Sequence, residues 1–338
     1  MTTDATHTIK GRVSVIVPTF NRSALVVQTL RSVERLYWPD VEVIVVDDGS
    51  TDDTRAVIED LRADGFRWPL EYIWQTNAGP ATARNRGRAQ ARGEFLYHLD
   101  SDDLVAPDAF GMLIDAMNRA DAAYAVGLVE NTDLEGVRLP DLPFSPHKIV
   151  HGDILASSWY THEALYRRDV LDRVDGYNET LRAGEDTELH WRIIATSGWP
   201  ALHDGLIATR RIHGIDHLGV EGATRSEHIN TTLKIYELFF DACPDAFRTF
   251  RNAFRVLRFG SESGAMGDVE TKARCSRLLK YAGTTGQGWS GLYSYRLHFL
   301  LRPNTVRYYG ALNWILQNAR NFRWLVGQKP ASDGRTRG

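Results

Sequence analysis

Cysteine is nearly missing from this 338-residue chain: only Cys243 and Cys275 occur, and their spacing fits neither a metal site nor a redox motif. A disulfide-stapled secreted scaffold is thereby excluded, and the usage suits a reducing compartment. Long apolar runs are missing too. No eighteen consecutive apolar residues appear, which argues against a membrane-spanning helix. The opening residues, MTTDATHTIKGR, lack the apolar core of a secretory signal, so the expected location is the cytoplasm. Low-complexity tracts and repeats are also absent. With 43% hydrophobic and 25% charged residues, the chain has the balance of a globular protein able to bury a sizeable core.

Net charge is small, at −3, but unevenly spread. From Arg248 onward there are 16 Lys+Arg against 4 Asp+Glu, leaving 24 against 39 in the residues before. A basic, aromatic-rich end behind an acidic domain suits an anionic surface, such as the inner leaflet of a membrane or a polyanionic partner. Docking of those arginines on the chain's own acidic part is the equal alternative.

What is present is a strand–helix alternation. Apolar runs at 13–17, 41–46, 70–74, 95–99 and 123–129 read as strands. Leu25, Leu30, Val33 and Leu36 mark a first helix, and 52–62, 81–91 and 108–119 read as further ones. This predicts an α/β fold whose mostly parallel sheet is flanked by helices, with ligands bound beyond the carboxyl ends of its strands. Between 140 and 217 the pattern is less regular, with helices expected at 168–174 and 186–196 and a strand at 206–212. After 226 the spacing of Ile229, Leu233, Ile235, Leu238 and Phe239 is helical, which places a boundary near Gly222.

Polar residues cluster where strands stop. The second strand ends in Asp47-Asp48-Gly49-Ser50-Thr51-Asp52. Ser50 or Thr51 could cap the next helix, while a carboxylate at the tip could accept the imide N–H of a nucleobase. The fourth ends in Asp100-Ser101-Asp102-Asp103, three mutually repelling acids that a hard divalent cation, Mg²⁺ or Mn²⁺, would offset. A solvated acidic loop is the plainer alternative. Between them Gly79-Pro80 opens a helix whose N–H groups could face a phosphate, with Arg84 one turn in. Gly184-Glu185-Asp186 either caps a helix or delivers a general base, and His213 follows the 206–212 strand. The Gly286–Gly291 stretch matches a dinucleotide-binding pattern but lacks the strand that should precede it. Asn178-Glu179-Thr180 and Asn230-Thr231-Thr232 match the glycosylation pattern without secretory context.

In order, the segments 13–22, 45–52, 77–87 and 99–103, then Gly176-Tyr177-Asn178-Glu179 and Glu185-Asp186 with Trp191-Arg192, resemble the family-2 glycosyltransferases. That resemblance implies a GT-A type fold. It also implies a catalytic domain over 1–222 and a helical, basic region over 223–338 for acceptor, membrane-surface or oligomer contacts. Pro18, Thr19, Asn21, Asp48, Asn77, Gly79, Arg84, Asp100 and Ser101 would line the nucleotide-sugar site. Asp102, with His213, would hold the metal. Asp186, with Glu185 beside it, would act as base. The implied reaction moves a sugar from a nucleotide-diphosphate donor, UDP-linked by preference, to a hydroxyl of a sugar, glycan or lipid-linked acceptor. It would invert the anomeric centre and use Mn²⁺ or Mg²⁺, with no nucleic-acid partner and a homo-oligomer left open. Acceptor choice would lie around Trp159, Tyr160, His162 and Glu163. A glycan-binding protein without turnover and a sugar nucleotidyltransferase are the rival readings. The second would need a glycine-rich loop where Pro18–Arg22 stands.

Overall fold

The computed structural model describes residues 8–139, 149–151, 153–181, 183–213 and 225–243, with Arg274. The chain divides into two compact units, Met1–Ala246 and Phe247–Gly338. Arg274 apart, the basic stretch from Arg248 onward lies outside the described residues, as does the Gly286–Gly291 motif.

The first unit holds strands β1 (Ile9–Thr19), β2 (Val41–Asp47), β3 (Leu70–Trp74), β4 (Gly93–His98), β5 (Leu104–Val105), β6 (Tyr124–Thr132), β7 (Ala164–Arg167) and β8 (Ala201–Arg211). Its α-helices are α1 (Ser23–Glu34), α2 (Thr54–Ala63), α3 (Pro80–Gln90), α4 (Ala109–Ala120), α5 (Arg168–Arg173), α6 (Glu185–Ser197) and α7 (Arg225–Ala242). The strands form one sheet in the order β3-β2-β1-β4-β7-β6-β8-β5. β1 runs parallel to β2 and β4, and β2 to β3, as the apolar runs predict. Beyond β4 the sheet is mixed. The four-residue β7 inserts antiparallel between β4 and β6, and β5 pairs antiparallel with β8. Neither β5 nor β7 is long enough to stand out as an apolar run.

Side chains alternate across the sheet with period two. Val13, Val15, Val17, Val43 and Val45 face Leu30 and Val33 of α1, Ile58 of α2 and Leu113 of α4. Ile16, Ile44, Val46 and Leu96 face Ala83 of α3, Leu171 of α5 and Ile193 of α6. Burial of both faces is why these strands read as unbroken apolar runs. Close packing fixes α3 in particular: a Cβ at Gly87 would stand 2.4 Å from Ile16 Cγ2. Helix α7 packs on α6, where Trp191 stacks on Tyr236 at 5.3 Å and meets Phe239 edge-on at 5.7 Å. The helical pattern beyond Gly222 therefore begins inside the first unit.

β2 and β3 lie to one side of β1, and β4 to the other. The order in which parallel strands are added reverses between β1 and β4, and a crevice at such a switch point is where open α/β sheets bind ligands. The acidic loop Asp100–Asp103 follows β4 at that place.

Candidate active site

The ends of β1 and β2 are tied to one another before any ligand is considered. Asn21, in a left-handed conformation, accepts a hydrogen bond from Thr51 N at 2.8 Å, and its own N–H donates to Ser50 Oγ at 2.8 Å. Ser50 and Thr51 thus bind Asn21 rather than cap α2, and Asp52 takes the N–H of Thr54 at 3.1 Å. Asp47 accepts from Ser50 N and from the Tyr72 hydroxyl, at 2.8 and 2.6 Å. The Asp48 carboxylate is buried and accepts three hydrogen bonds: Gln75 Nε2 at 2.7 Å, and Ala78 N and Gly79 N at 2.8 Å each. Asp48 thus engages N–H groups of the turn that precedes α3, not the N–H groups of the helix itself that were expected to face a phosphate. Gly49 (φ 87°) lets this happen, since a Cβ there would lie 2.9 Å from Asn77 N. Asn77 itself is exposed. Pro18 and Thr19 are buried at the end of β1, and Thr19 Oγ1 makes no hydrogen bond.

Arg84 joins three segments. Its buried guanidinium donates to Asp100 Oδ1 at 2.7 Å and to Glu185 Oε1 at 3.0 Å, and lies 5.3 Å from the Tyr177 ring centroid. Burial opposes its charge, but Asp100, Tyr177 and Glu185 outweigh that and hold it protonated. Burial also pushes Asp100 up, yet Arg84 and His162 prevail and hold it down at about 2. Asp186, next to Glu185 at the start of α6, behaves oppositely. Burial and the Glu185 charge raise its carboxyl to about 6.

The acidic loop gathers further partners. Asp102 Oδ2 lies 3.1 Å from His213 Nε2 and 2.7 Å from Arg22 Nη1. Asp103 Oδ1 accepts from Arg211 N at 2.9 Å, and the Arg211 guanidinium donates to the carbonyl of Asp102 and to Gln28 of α1. Ser101 is buried within the loop. His162, in a short 3₁₀ turn (Thr161–Glu163), places Nδ1 3.1 Å from Asp103 Oδ2 and 4.0 Å from Asp100 Oδ2. Burial lowers it to about 4, against the pull of Asp100.

Asp100, Asp103 and His162 each offer one ligand atom, all within 4.8 Å of one another. Two features of the set fit a divalent cation. His162 is buried without a hydrogen bond at either ring nitrogen, and burial with the Asp102 and Asp100 charges holds Asp103 well above the usual carboxylate range. Carboxylate oxygens with one imidazole suit Mn²⁺, and the oxygens alone suit Mg²⁺.

Of the sequence-predicted acids, Asp100 and Glu185 meet at Arg84, Asp102 lies in the same loop as Asp100 and contacts His213, and Asp186 follows Glu185 with its carboxylate accepting from Thr187 N. Asp48 and Asn21 instead have their side chains engaged in loop-to-loop bonds. His162 was expected only for acceptor choice, and its place beside Asp100 and Asp103 depends on β7 lying next to β4. Arg22 closes the 13–22 segment without having been given a role, and Gln75 lies outside every motif. Trp159 and Glu163 are buried, and Trp159 stacks on His190 at 3.9 Å as part of the core.

Residues 14–175 match the protein family described as Glycosyl transferase family 2. The GalNAc(5)-diNAcBac-PP-undecaprenol beta-1,3-glucosyltransferase of Campylobacter jejuni is 40% identical over 116 residues, 34% of this chain and 36% of that protein. The succinoglycan biosynthesis protein ExoO of Rhizobium meliloti is 28% identical over 242 residues, 67% of each. The matched stretch spans 36%, 54% and 32% of the length of three curated relatives. Among solved structures, S. aureus TarS 1-349 in complex with UDP-GlcNAc superposes with a TM-score of 0.60 at 20% identity, covering 79% of both chains. The mannosyltransferase PcManGT from Pyrobaculum calidifontis, in complex with GDP-Man and Mn2+, gives 0.54 at 19% identity over 94% of this chain and 87% of its own. At that identity the likeness shows the fold, a mixed sheet flanked by helices of GT-A type.

Proposed function

We propose, from the premise that residues 14–175 belong to glycosyl transferase family 2, that this chain moves a sugar from a nucleotide-diphosphate donor to an acceptor hydroxyl with inversion. The observation that carries the reading is the Arg84 junction. One buried cation from α3 joins Asp100, after β4, to Glu185, at the start of α6, and Asp186 stands next in sequence with a carboxyl raised to about 6.

A diphosphate is a multiply charged leaving group, and Arg84, held protonated between two acids, keeps positive charge beside it in a site where water screens little. Thr19, whose hydroxyl at the end of β1 makes no hydrogen bond among the described residues, would bond the nucleotide. An acceptor hydroxyl attacks poorly until its proton leaves, and Asp186 takes that proton as the new bond forms. Its raised pKa makes it a better acceptor than an ordinary carboxylate while it remains ionised near neutrality. A divalent cation, when bound, would offset charge on the departing diphosphate. By the family resemblance Asp102 and His213 would hold it, and by proximity Asp100, Asp103 and His162 would. UDP as donor nucleotide is proposed on the TarS complex, and a lipid-linked acceptor on the name of the C. jejuni relative. No helix among the described residues is long and apolar enough to cross a membrane.

Thermal unfolding with UDP, GDP, TDP and CMP, each with and without Mn²⁺, tests this reading. A ligand at 100 times its Kd stabilises by ~2.7 kcal/mol. The expected result is a rise with UDP that Mn²⁺ enlarges. No rise with any nucleotide would remove the donor site.

A further inference from the structure

Arg210 lies on β8 next to Arg211, and the two side chains serve opposite purposes. Arg211 is buried and bonded to the acidic loop and α1. Arg210 is half-buried and has no carboxylate partner among the described residues. Its guanidinium sits 4.7 Å from the Tyr160 ring centroid, and Nη1 donates to the Tyr160 hydroxyl at 3.3 Å. Tyr160 in turn stacks on His162, with centroids 5.9 Å apart and planes 12° from parallel. His162 is the ring 3.1 Å from Asp103. The Tyr160 backbone is also fixed, because its N–H donates to Glu163 Oε2 at 3.0 Å.

A guanidinium held over an aromatic face, with one hydrogen bond among the described residues, is suited to receive an anion bidentately. Among the described residues, the other arginines that reach the acidic loop are already matched: Arg22 with Asp102, Arg84 with Asp100 and Glu185, and Arg211 with the loop itself. A guanidinium that faces the acidic loop without an ion pair among the described residues keeps donors available to an anion from outside the chain, and the Tyr160 ring beside it offers a face for a sugar.

We propose that Arg210 and Tyr160 form an acceptor subsite for a sugar bearing an anionic oxygen, either a uronate carboxylate or a phosphate. This rests on the glycosyltransferase reading above. It deepens that reading by assigning the acceptor's charge.

The test uses the full chain saturated with UDP and Mn²⁺, so that the donor's diphosphate position is filled. Calorimetry would follow methyl β-D-glucuronide against methyl β-D-glucoside, and glucose 1-phosphate against methyl α-D-glucoside. The wild type should prefer the charged member of at least one pair, and which pair it is identifies carboxylate or phosphate. Arg210→Gln should weaken that charged probe about 10-fold or more, the factor one charge-assisted hydrogen bond represents. It should leave the neutral probe and the UDP affinity unchanged. Arg210→Lys should restore part of the loss, and Tyr160→Phe should produce a smaller one. These two variants also decide the matter if Arg210→Gln does not fold. Equal affinity for charged and neutral probes in the wild type would overturn the proposal. So would a loss confined to UDP, which would make Arg210 a donor contact. Failure of the wild type to bind UDP is a separate outcome that overturns the glycosyltransferase reading instead.

Discussion

At the scale of single residues, Asp186 and Asp100 are the same side chain with opposite electrostatics. Asp100 is bonded to Arg84 and held near 2, while Asp186 sits beside Glu185 and is raised to about 6. Two consequences follow for Asp186. The transfer rate at limiting acceptor should climb as pH rises through about 6 and then level off, because only the ionised form takes a proton. Asp186→Asn keeps the shape and removes the base, so turnover should fall ~10²-fold or more while UDP affinity, read by calorimetry, stays within about twofold. Wild-type turnover in that variant would remove the assignment. The metal donors can be sorted in the same way. If Asp103 and His162 hold the cation, Asp103→Asn should abolish the Mn²⁺-dependent rise in unfolding temperature. If Asp102 and His213 hold it, Asp102→Asn should do so instead. The sequence showed that acids crowd this loop but not which of them are already matched. Arg22 and Arg211 reach Asp102 and Asp103 from residues far away in the chain, and pairing at that distance leaves no local pattern.

At the scale of elements, the loop between β3 and α3 shows how one residue can serve two accounts. Asp48 was expected to meet the nucleobase. In the structure its carboxylate gathers Gln75, Ala78 and Gly79, so it sets the path by which the chain enters α3 and carries Arg84. Removing it should loosen that entry. Asp48→Ala leaves three donors without their acceptor, and an unmade buried hydrogen bond costs ~1–3 kcal/mol, so a destabilisation of at least ~2 kcal/mol is expected in urea titrations. Hydrogen exchange at the Ala78 and Gly79 amides should quicken more than exchange in α4. If those amides exchange at the wild-type rate, Asp48 does not hold the loop. Elements with a strong period were legible in advance: β1 to β4, α3, α4 and α6 all fall where apolar runs or helical spacing place them. β7 was not, because four residues, Ala164–Arg167, carry too little pattern. Yet β7 is what separates β4 from β6 and brings the turn holding His162 beside the acidic loop.

At the scale of the whole molecule, the described unit keeps several histidines neutral in its interior, and this sets its response to acid. Burial, with Arg84 nearby, lowers His98 to about 3; burial lowers His162 to about 4, and His190 lies well below its ordinary value. An unfolded chain protonates these rings near pH 6.5. Between that pH and their folded values the unfolded state binds more protons, so stability falls as pH drops through this window. Asp100 adds a loss in the same direction below about pH 4, as its folded value is depressed. Asp186 and Asp103 work the other way. Both folded values are raised, so from those values down to the ordinary carboxylate range the folded state binds more protons there, and together they offset the effect of up to two histidines. The three histidines outnumber them, and each ring excluded from titration should lower the unfolding free energy by ~2 kcal/mol from pH 7 to pH 4.5, against an ordinary margin of roughly 5–15 kcal/mol. His190 allows this to be checked without touching the acidic loop, because it stacks on Trp159 and neither ring nitrogen makes a hydrogen bond. His190→Phe keeps an aromatic ring in that stack and removes the titration. The slope of stability against pH, measured by urea unfolding between pH 6.5 and 4.5, should flatten by about one proton, ~1.4 kcal/mol per pH unit. An unchanged slope would mean that His190 takes up its proton in the folded protein, and the reading of this interior as a reserve of neutral imidazoles would fail.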